Sequence, residues 1–197
     1  MSGGRQNINQ PVTTGPGPDG TAPTVTAIIV AEEVSGHMKG QLEITLVLDR
    51  LRSAFNTGNI FRLADAIGVT EVLCCGYTPA PPHPRLEKTA MGADHWVKSR
   101  SIGDTLDAIR TLKGQGFSIV AAEVSSRAKY VWDYPFHFPL ALVFGNEAWG
   151  VDPQVLAECD GVVSLPMAGT KTSVNVANCA AAVLYSIVEK YQYGAGK

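Results

Sequence analysis

Five apolar runs, each about one strand long, alternate along this chain with stretches of helical spacing, and that alternation leaves few folds open. Ile44 to Leu48, Glu71 to Gly76, Phe117 to Ala122, Leu140 to Phe144 and Val162 to Leu165 read as buried strands. Between the first two, Ile60, Leu63, Ala64 and Ile67 recur at helical spacing, with Asn56 as the expected cap and Gly68 as the terminator. Ser101 and Asp104 resemble a capping box ahead of a stripe of Leu106, Ile109 and Leu112 that ends at Gly114. Ser173 is expected to cap a last helix, running to about Tyr191 and rich in Ala177, Ala180, Ala181 and Ala182. Pro79, Pro81, Pro82 and Pro84 form an extended loop, since proline fits neither a helix interior nor a central strand. Strands separated by helices predict an α/β fold with a mostly parallel sheet and helices on both faces.

At 197 residues the chain suits one domain with a tail. Residues 1–24, with Gly3-Gly4 and Gly15-Pro16-Gly17-Pro18, have a disorder-like composition, and residues 25–34 read as a short strand or docking segment. Ser35-Gly36-His37-Met38 reads as a cloning scar or an internal start. The expected division is therefore a tail over 1–37 and a domain over 38–197. No apolar run approaches the 18 or so residues of a membrane span, and no apolar core marks a signal peptide in the first twenty residues. Cys74, Cys75, Cys159 and Cys179 lack C-x-x-C spacing and read as free thiols, with adjacent Cys74 and Cys75 pointing to opposite faces of a strand. A cytoplasmic location is expected on these grounds.

Charge constrains the partners. Residues 1–37 hold Arg5 against Asp19, Glu32 and Glu33; removing them from the 16 bases and 18 acids of the chain leaves 15 of each. Affinity for nucleic acid must then come from a local patch.

Three segments place amides, glycines and charges just past or beside an apolar run. The first is Asn56-Thr57-Gly58-Asn59-Ile60-Phe61-Arg62. Gly58 allows a close backbone approach, the amides donate and accept, and Arg62 suits a phosphate or a hydroxyl. The plain alternative is a surface arginine paired with an acid one turn away, such as Asp65. The second is Gly145-Asn146-Glu147-Ala148-Trp149-Gly150-Val151 after a strand, where open α/β sheets bind ligands. Glu147 alternatively caps a helix that begins near Pro153, while Trp149 offers a stacking or packing surface. The third runs from Leu165-Pro166-Met167 to Ser173-Val174-Asn175, a helix start that presents free N–H groups. No G-x-G-x-x-G opens a βαβ unit, no P-loop or G-x-S-x-G elbow occurs, and His37, His83, His95 and His137 show no metal-ligand spacing. No metal is expected.

With these three segments in this order, residues 42–190 resemble the SpoU/TrmH-type RNA ribose 2′-O-methyltransferases of the SPOUT superfamily. Gly76-Tyr77-Thr78-Pro79 and Lys88 to Ala93 look like linker segments of the same family. The resemblance implies a C-terminal trefoil knot, which general topology rules disfavour, and an obligate homodimer whose partners complete each other's sites. It implies S-adenosylmethionine held near Ala122 and Glu123, at Gly145, and by the loop of Leu165, Met167, Ser173 and Val174. Arg62 would activate the ribose hydroxyl, Asn56 would order its surroundings, Glu147 would support the site, and Ser173 and Asn175 would contact the cofactor or position the arginine. The implied substrate is RNA, with tRNA favoured because the chain from Met38 carries no appended RNA-binding domain. Two alternatives stay open: rRNA as substrate, and a catalytically silent RNA-binding module of the same fold.

Overall fold

In the computed structural model, which describes residues 42–193, seven parallel strands form one sheet. They are β1 (Ile44–Asp49), β2 (Glu71–Cys75), β3 (Ser99–Ile102), β4 (Ser118–Ala122), β5 (Lys129–Tyr130), β6 (Leu140–Phe144) and β7 (Gly161–Ser164). Their order is β3-β2-β1-β6-β4-β7-β5, and every pairing is parallel. The expected tail over residues 1–37 lies outside the described residues.

β1, β2 and β6 are buried at every position, which is why they read as mostly apolar runs without a polar alternation. Helices cover both faces as expected. α1 (Ala54–Ile67), α2 (Pro84–Ala90) and α5 (Val176–Val188) pack on one side, burying Ile60, Phe61, Leu86, Val183 and Leu184 against Leu46, Leu48, Leu142 and Phe144. α3 (Thr105–Gly114) and α4 (Pro153–Glu158) cover the other, where Ile109, Leu112 and Val155 meet Val47, Leu73 and Val143. Cys74 belongs to the first core and Cys75 to the second; both are free thiols pushed up to about 12 by burial.

The helix caps differ from the expected ones. Ser53, not Asn56, caps α1 and accepts from the Asn56 N–H; Gly68 does end it, at φ 77°. Asp104 itself caps α3, accepting from the N–H groups of Leu106 and Asp107, while Ser101 sits in β3. Asn175, not Ser173, caps α5, which gives way to a π-helical turn over Glu189–Tyr193. In each case a residue with the right chemistry stood within three positions of the true cap, and backbone geometry made the choice. Pro84 opens α2 and does not belong to the loop, because the first helical turn has no use for its missing N–H. The edge strands β3 and β5 were not expected: Ser99, Arg100, Lys129 and Tyr130 leave no apolar run to read.

Gly58 has a structural role other than the one its loop-like segment suggested. It is buried in α1 where α2 crosses; a Cβ there would lie 2.0 Å from Thr89 Oγ1 and 2.5 Å from the Leu86 carbonyl oxygen. The close approach is that of α2 and not of a ligand. Gly58→Ala would stabilise an ordinary helix interior by about 1 kcal/mol; here it is expected to destabilise the fold by about 1–3 kcal/mol through overpacking. Urea unfolding of the variant reads the sign directly, and a stabilised variant would contradict this packing.

Candidate active site

The carboxyl ends of β4, β6 and β7 open on a cavity of about 600 Å³. The loop after β4 contributes Ala122 and Glu123, the loop after β6 contributes Gly145 to Gly150, and the loop after β7 contributes Leu165, Met167, Ser173 and Val174. All seven residues expected around the cofactor line this one cavity. Such crevices beyond the strand ends are where open α/β sheets place their ligands.

The loop after β6 is folded back on itself. Asn146 and Gly150 exchange two backbone hydrogen bonds of 3.0 and 2.8 Å, so Gly145 presses against the returning chain. A Cβ on Gly145 would lie 2.1 Å from the Val151 nitrogen and 2.2 Å from the Gly150 carbonyl carbon. Gly150 has φ 71°, and its missing side chain leaves room for the Glu123 carboxylate. That carboxylate accepts from the Val124 and Val151 N–H groups, each at 2.8 Å, and ties the β4 loop to the β6 loop.

Glu147 does not cap α4, which Asp152 does. Its carboxylate turns to the start of α1 instead, accepting from the N–H groups of Arg52 at 2.8 Å and Ser53 at 3.0 Å, and from the Asn56 amide at 2.8 Å. Partial burial pushes the Glu147 carboxyl up, but these hydrogen bonds together outweigh it and hold the group below the usual carboxylate range. The Asn56 carbonyl oxygen in turn accepts from the Asn175 amide at 3.0 Å, and the Asn175 oxygen caps α5. Glu147, Asn56 and Asn175 therefore form one relay joining the loops after β6 and β7 to the start of α1. The three residues come from segments 91 and 119 positions apart, and the sheet brings them together.

Arg62 stands apart. It is exposed on α1 outside the cavity lining, and among the described residues its guanidinium has no hydrogen-bond or ion-pair partner. The anticipated pairing with Asp65 is not made. Ser173 lines the cavity without capping a helix. Trp149 is 84% exposed at the rim, so it is no packing residue of this chain. Cys179 also lines the cavity, and burial pushes its thiol up to about 11, keeping it protonated and weakly nucleophilic near neutral pH. No group of three or more potential metal ligands occurs among the described residues, nor any helix long and apolar enough to cross a membrane.

Several supporting residues escaped the sequence reading. Buried Asn146 donates to the Arg50 carbonyl at 2.6 Å and to the Tyr77 hydroxyl at 2.9 Å while accepting from the Ala148 and Trp149 N–H groups. Fully buried Asp49 accepts from the Thr105 hydroxyl at 2.7 Å and the Asp152 N–H at 2.9 Å. Arg50 bridges it to Asp152. Thr78 closes the neighbouring turn, accepting from the Leu51 N–H and donating to the Leu48 carbonyl. The one signal available was an acid, Asp49, ending a buried strand.

Known proteins resemble this chain in sequence and in fold. The model of the SpoU rRNA Methylase family matches residues 43–185. A tRNA (guanosine(18)-2′-O)-methyltransferase of Thermus thermophilus is 33% identical over 145 residues, which is 74% of each chain. The enzyme of that name from Escherichia coli is 30% identical over 77% of this chain and 66% of its own. Among solved structures, the SpoU methyltransferase AviRb from Streptomyces viridochromogenes in complex with AdoMet superposes with a TM-score of 0.70 at 25% identity, over 79% of this chain and 64% of that one. The cavity at the strand ends, the two motif segments that line it, the first segment tied to both through Asn56, and the match of residues 43–185 lead to one conclusion: this chain belongs to the SpoU methylase family.

Proposed function

We propose that this chain transfers a methyl group from S-adenosylmethionine to a ribose 2′-hydroxyl of RNA, with tRNA as the favoured substrate and rRNA as the second reading. The observation that carries it is the Glu147–Asn56–Asn175 relay at the mouth of a cavity built from three strand-end loops. The tRNA reading draws on the names of the Thermus and Escherichia relatives. The rRNA reading draws on the family description.

The cavity suits the cofactor. Its volume falls in the range of about 300–1,000 Å³ usual for small-molecule sites. Residues 165–174 make no hydrogen bond with other described residues, which leaves a run of backbone donors and acceptors for a ligand to use. Gly145 keeps a Cβ out of the cavity's tightest turn. In our reading Ala122, Glu123, Gly145, Leu165, Met167, Ser173 and Val174 hold S-adenosylmethionine, which supplies a methyl group activated on a sulfonium.

The ribose oxygen forms the new O–C bond as the S–C bond breaks, and the hydroxyl proton must leave. Arg62 is the residue for that oxygen. A guanidinium is protonated at all ordinary pH, its pKa being above about 12. It therefore acts by donating to the oxyanion as charge develops and by gripping the adjacent phosphate, not by removing the proton as a free base. The proton departs to the substrate phosphate or to water. Glu147, Asn56 and Asn175 fix the loops that present the methyl group, and Ser173 borders the cofactor.

Arg62 lies outside the cavity of its own chain, so the site is completed by a second copy of the chain. Two exposed stripes suit that contact: Asn59, Arg62 and Ala66 on α1, and Asn178, Ala182 and Tyr185 on α5. Ala177 and Ala180 face the core instead, so less of the alanine-rich face is available than the sequence suggested. A trefoil threading of the chain between β6 and α5 belongs to the same proposal. It is supported by the loops after β6 and β7 meeting in one cavity although β4 stands between those strands. Residues 38–197 form the catalytic domain in this reading, working in the cytoplasm without a metal.

The test is transfer of label from S-adenosylmethionine to bulk tRNA and rRNA, with mapping of the 2′-O-methylated nucleotide and light scattering of the enzyme. Label in tRNA ribose from a dimer is expected. A protein that binds RNA and cofactor without any transfer would be the silent module.

A further inference from the structure

A second concavity, of about 250 Å³, lies beside the relay and is lined by Arg52, Ser53, Phe55, Pro79, His83 and Arg85. We propose that it binds the RNA strand next to the reacting nucleotide, with Arg52 and Arg85 on a phosphodiester and Phe55 under a neighbouring base. The inference deepens the methyl-transfer reading and rests on it for the identity of the RNA.

Charge is the first support. Among the described residues Arg50 is paired with Asp49 and Asp152, Arg100 with Glu71, and Arg110 with Glu158. Arg127 donates to the Leu156 carbonyl. Arg52, Arg62 and Arg85 have no such partner. Two of these three line this concavity, and Arg62 stands about 10 Å further along α1 from Phe55 on the same helical face. In a chain of net charge −2, two unpaired guanidinium groups lining one concavity make the local cationic patch that an RNA backbone requires.

Chemistry is the second. Phe55 is 52% exposed although it begins an otherwise well-packed helix, and a half-exposed aromatic face is what bases of single-stranded RNA stack on. His83 accepts from the Arg85 and Leu86 N–H groups through Nδ1, which leaves its Nε2–H as a further donor. The volume is below that of ordinary small-molecule sites and matches a phosphate with the edge of a base.

Position is the third. The Arg52 and Ser53 N–H groups that border the concavity also hold the Glu147 carboxylate. One stretch of chain thus faces both the catalytic relay and the concavity. In this proposal a strand whose ribose reaches the relay runs a neighbouring phosphate over Arg52 and Arg85.

The experiment is fluorescence anisotropy of the full chain with labelled tRNA, read over a range of salt for wild type, Arg52→Glu/Arg85→Glu and Phe55→Ala. The double variant is expected to bind at least about tenfold more weakly, with the slope of log affinity against log salt smaller by about 0.7 per arginine. Phe55→Ala should lose about fivefold or more. Cofactor affinity and dimer mass should stay within twofold and unchanged respectively. If the double variant misfolds on melting, Arg52→Gln/Arg85→Gln replaces it with the same expected slope change. Wild-type affinity and slope in the variants would overturn the proposal, as would a change of dimer mass with RNA binding intact, which would assign the concavity to a protein partner. A wild type that fails to bind RNA overturns it too. Because binding is read without turnover, a wild type that binds through these residues but transfers no methyl group would sink the methyl-transfer reading alone.

Discussion

Arg62→Ala is expected to abolish methyl transfer, by a factor of about 100 or more, while the protein folds and binds S-adenosylmethionine as the wild type does. The structure makes a clean separation achievable. Arg62 is exposed, holds no partner among the described residues and does not line the cofactor cavity. Truncating it therefore removes no packing and leaves no buried charge behind, and an ordinary surface change of this kind alters stability by about 0.5 kcal/mol at most. Arg62→Lys should be nearly as poor, because an ammonium cannot span hydroxyl and phosphate as the planar fork does. Single-turnover methylation of bulk tRNA, run beside melts and cofactor titrations, separates the outcomes. A tenth of the wild-type rate in the alanine variant would remove Arg62 from the reaction and turn attention to Glu147. Mixing Arg62→Ala with a variant lacking cofactor binding adds a test of the dimer, since mixed dimers recover one complete site only if the partner supplies the arginine.

Gly145→Ala should have the opposite profile, with stability and cofactor binding lost together. The added Cβ would meet backbone atoms at 2.1 and 2.2 Å, and backbone cannot swing aside as a side chain can. Relieving the clash means opening the Asn146–Gly150 bridge, which also holds Glu147 toward α1 and Val151 toward Glu123. We expect a loss on the order of 3 kcal/mol in stability and no measurable S-adenosylmethionine affinity by calorimetry. Gly114→Ala is the control: it ends α3, outside the cavity lining, with nothing within 4 Å of a Cβ, so it should bind as wild type and melt no lower. An alanine at 145 that binds cofactor within a few-fold would show that the loop does not form the cavity wall.

Much of the fold was legible because its central strands are buried on both faces. Leu140–Phe144 is apolar without interruption and Ile44–Asp49 is broken only by Thr45 before its closing acid, so no register or partner needs to be known to recognise them. The edge strands hide for the converse reason: half-exposed Ser-Arg-Ser-Ile and Lys-Tyr carry no pattern that separates them from loop. The seven residues that the resemblance assigns to the cofactor meet at one cavity. Roles within the site were less legible. Asn56 looked like a helix cap and Glu147 left capping open as an alternative, because an amide or an acid near a helix start reads the same whether it bonds its own backbone or a distant one. Gly58 reads as allowing a close backbone approach, and the structure shows that the backbone is that of α2.

The sequence by itself determined the alternation of strands and helices, the buried faces, and the three segments that carry amides, acid and arginine. Those follow from local pattern: burial sets the period, and glycine and proline set the breaks. Only the tertiary structure decided that Glu147 bonds Arg52, Ser53 and Asn56, that Asn56 bonds Asn175, and that Arg62 turns away from its own cavity. These depend on strand order, in which β6 inserts beside β1 and β7 lies beyond β4. A hydrogen bond between residues 91 or 119 positions apart leaves no periodic trace in the chain, because it is set by which loops the sheet brings to the same edge.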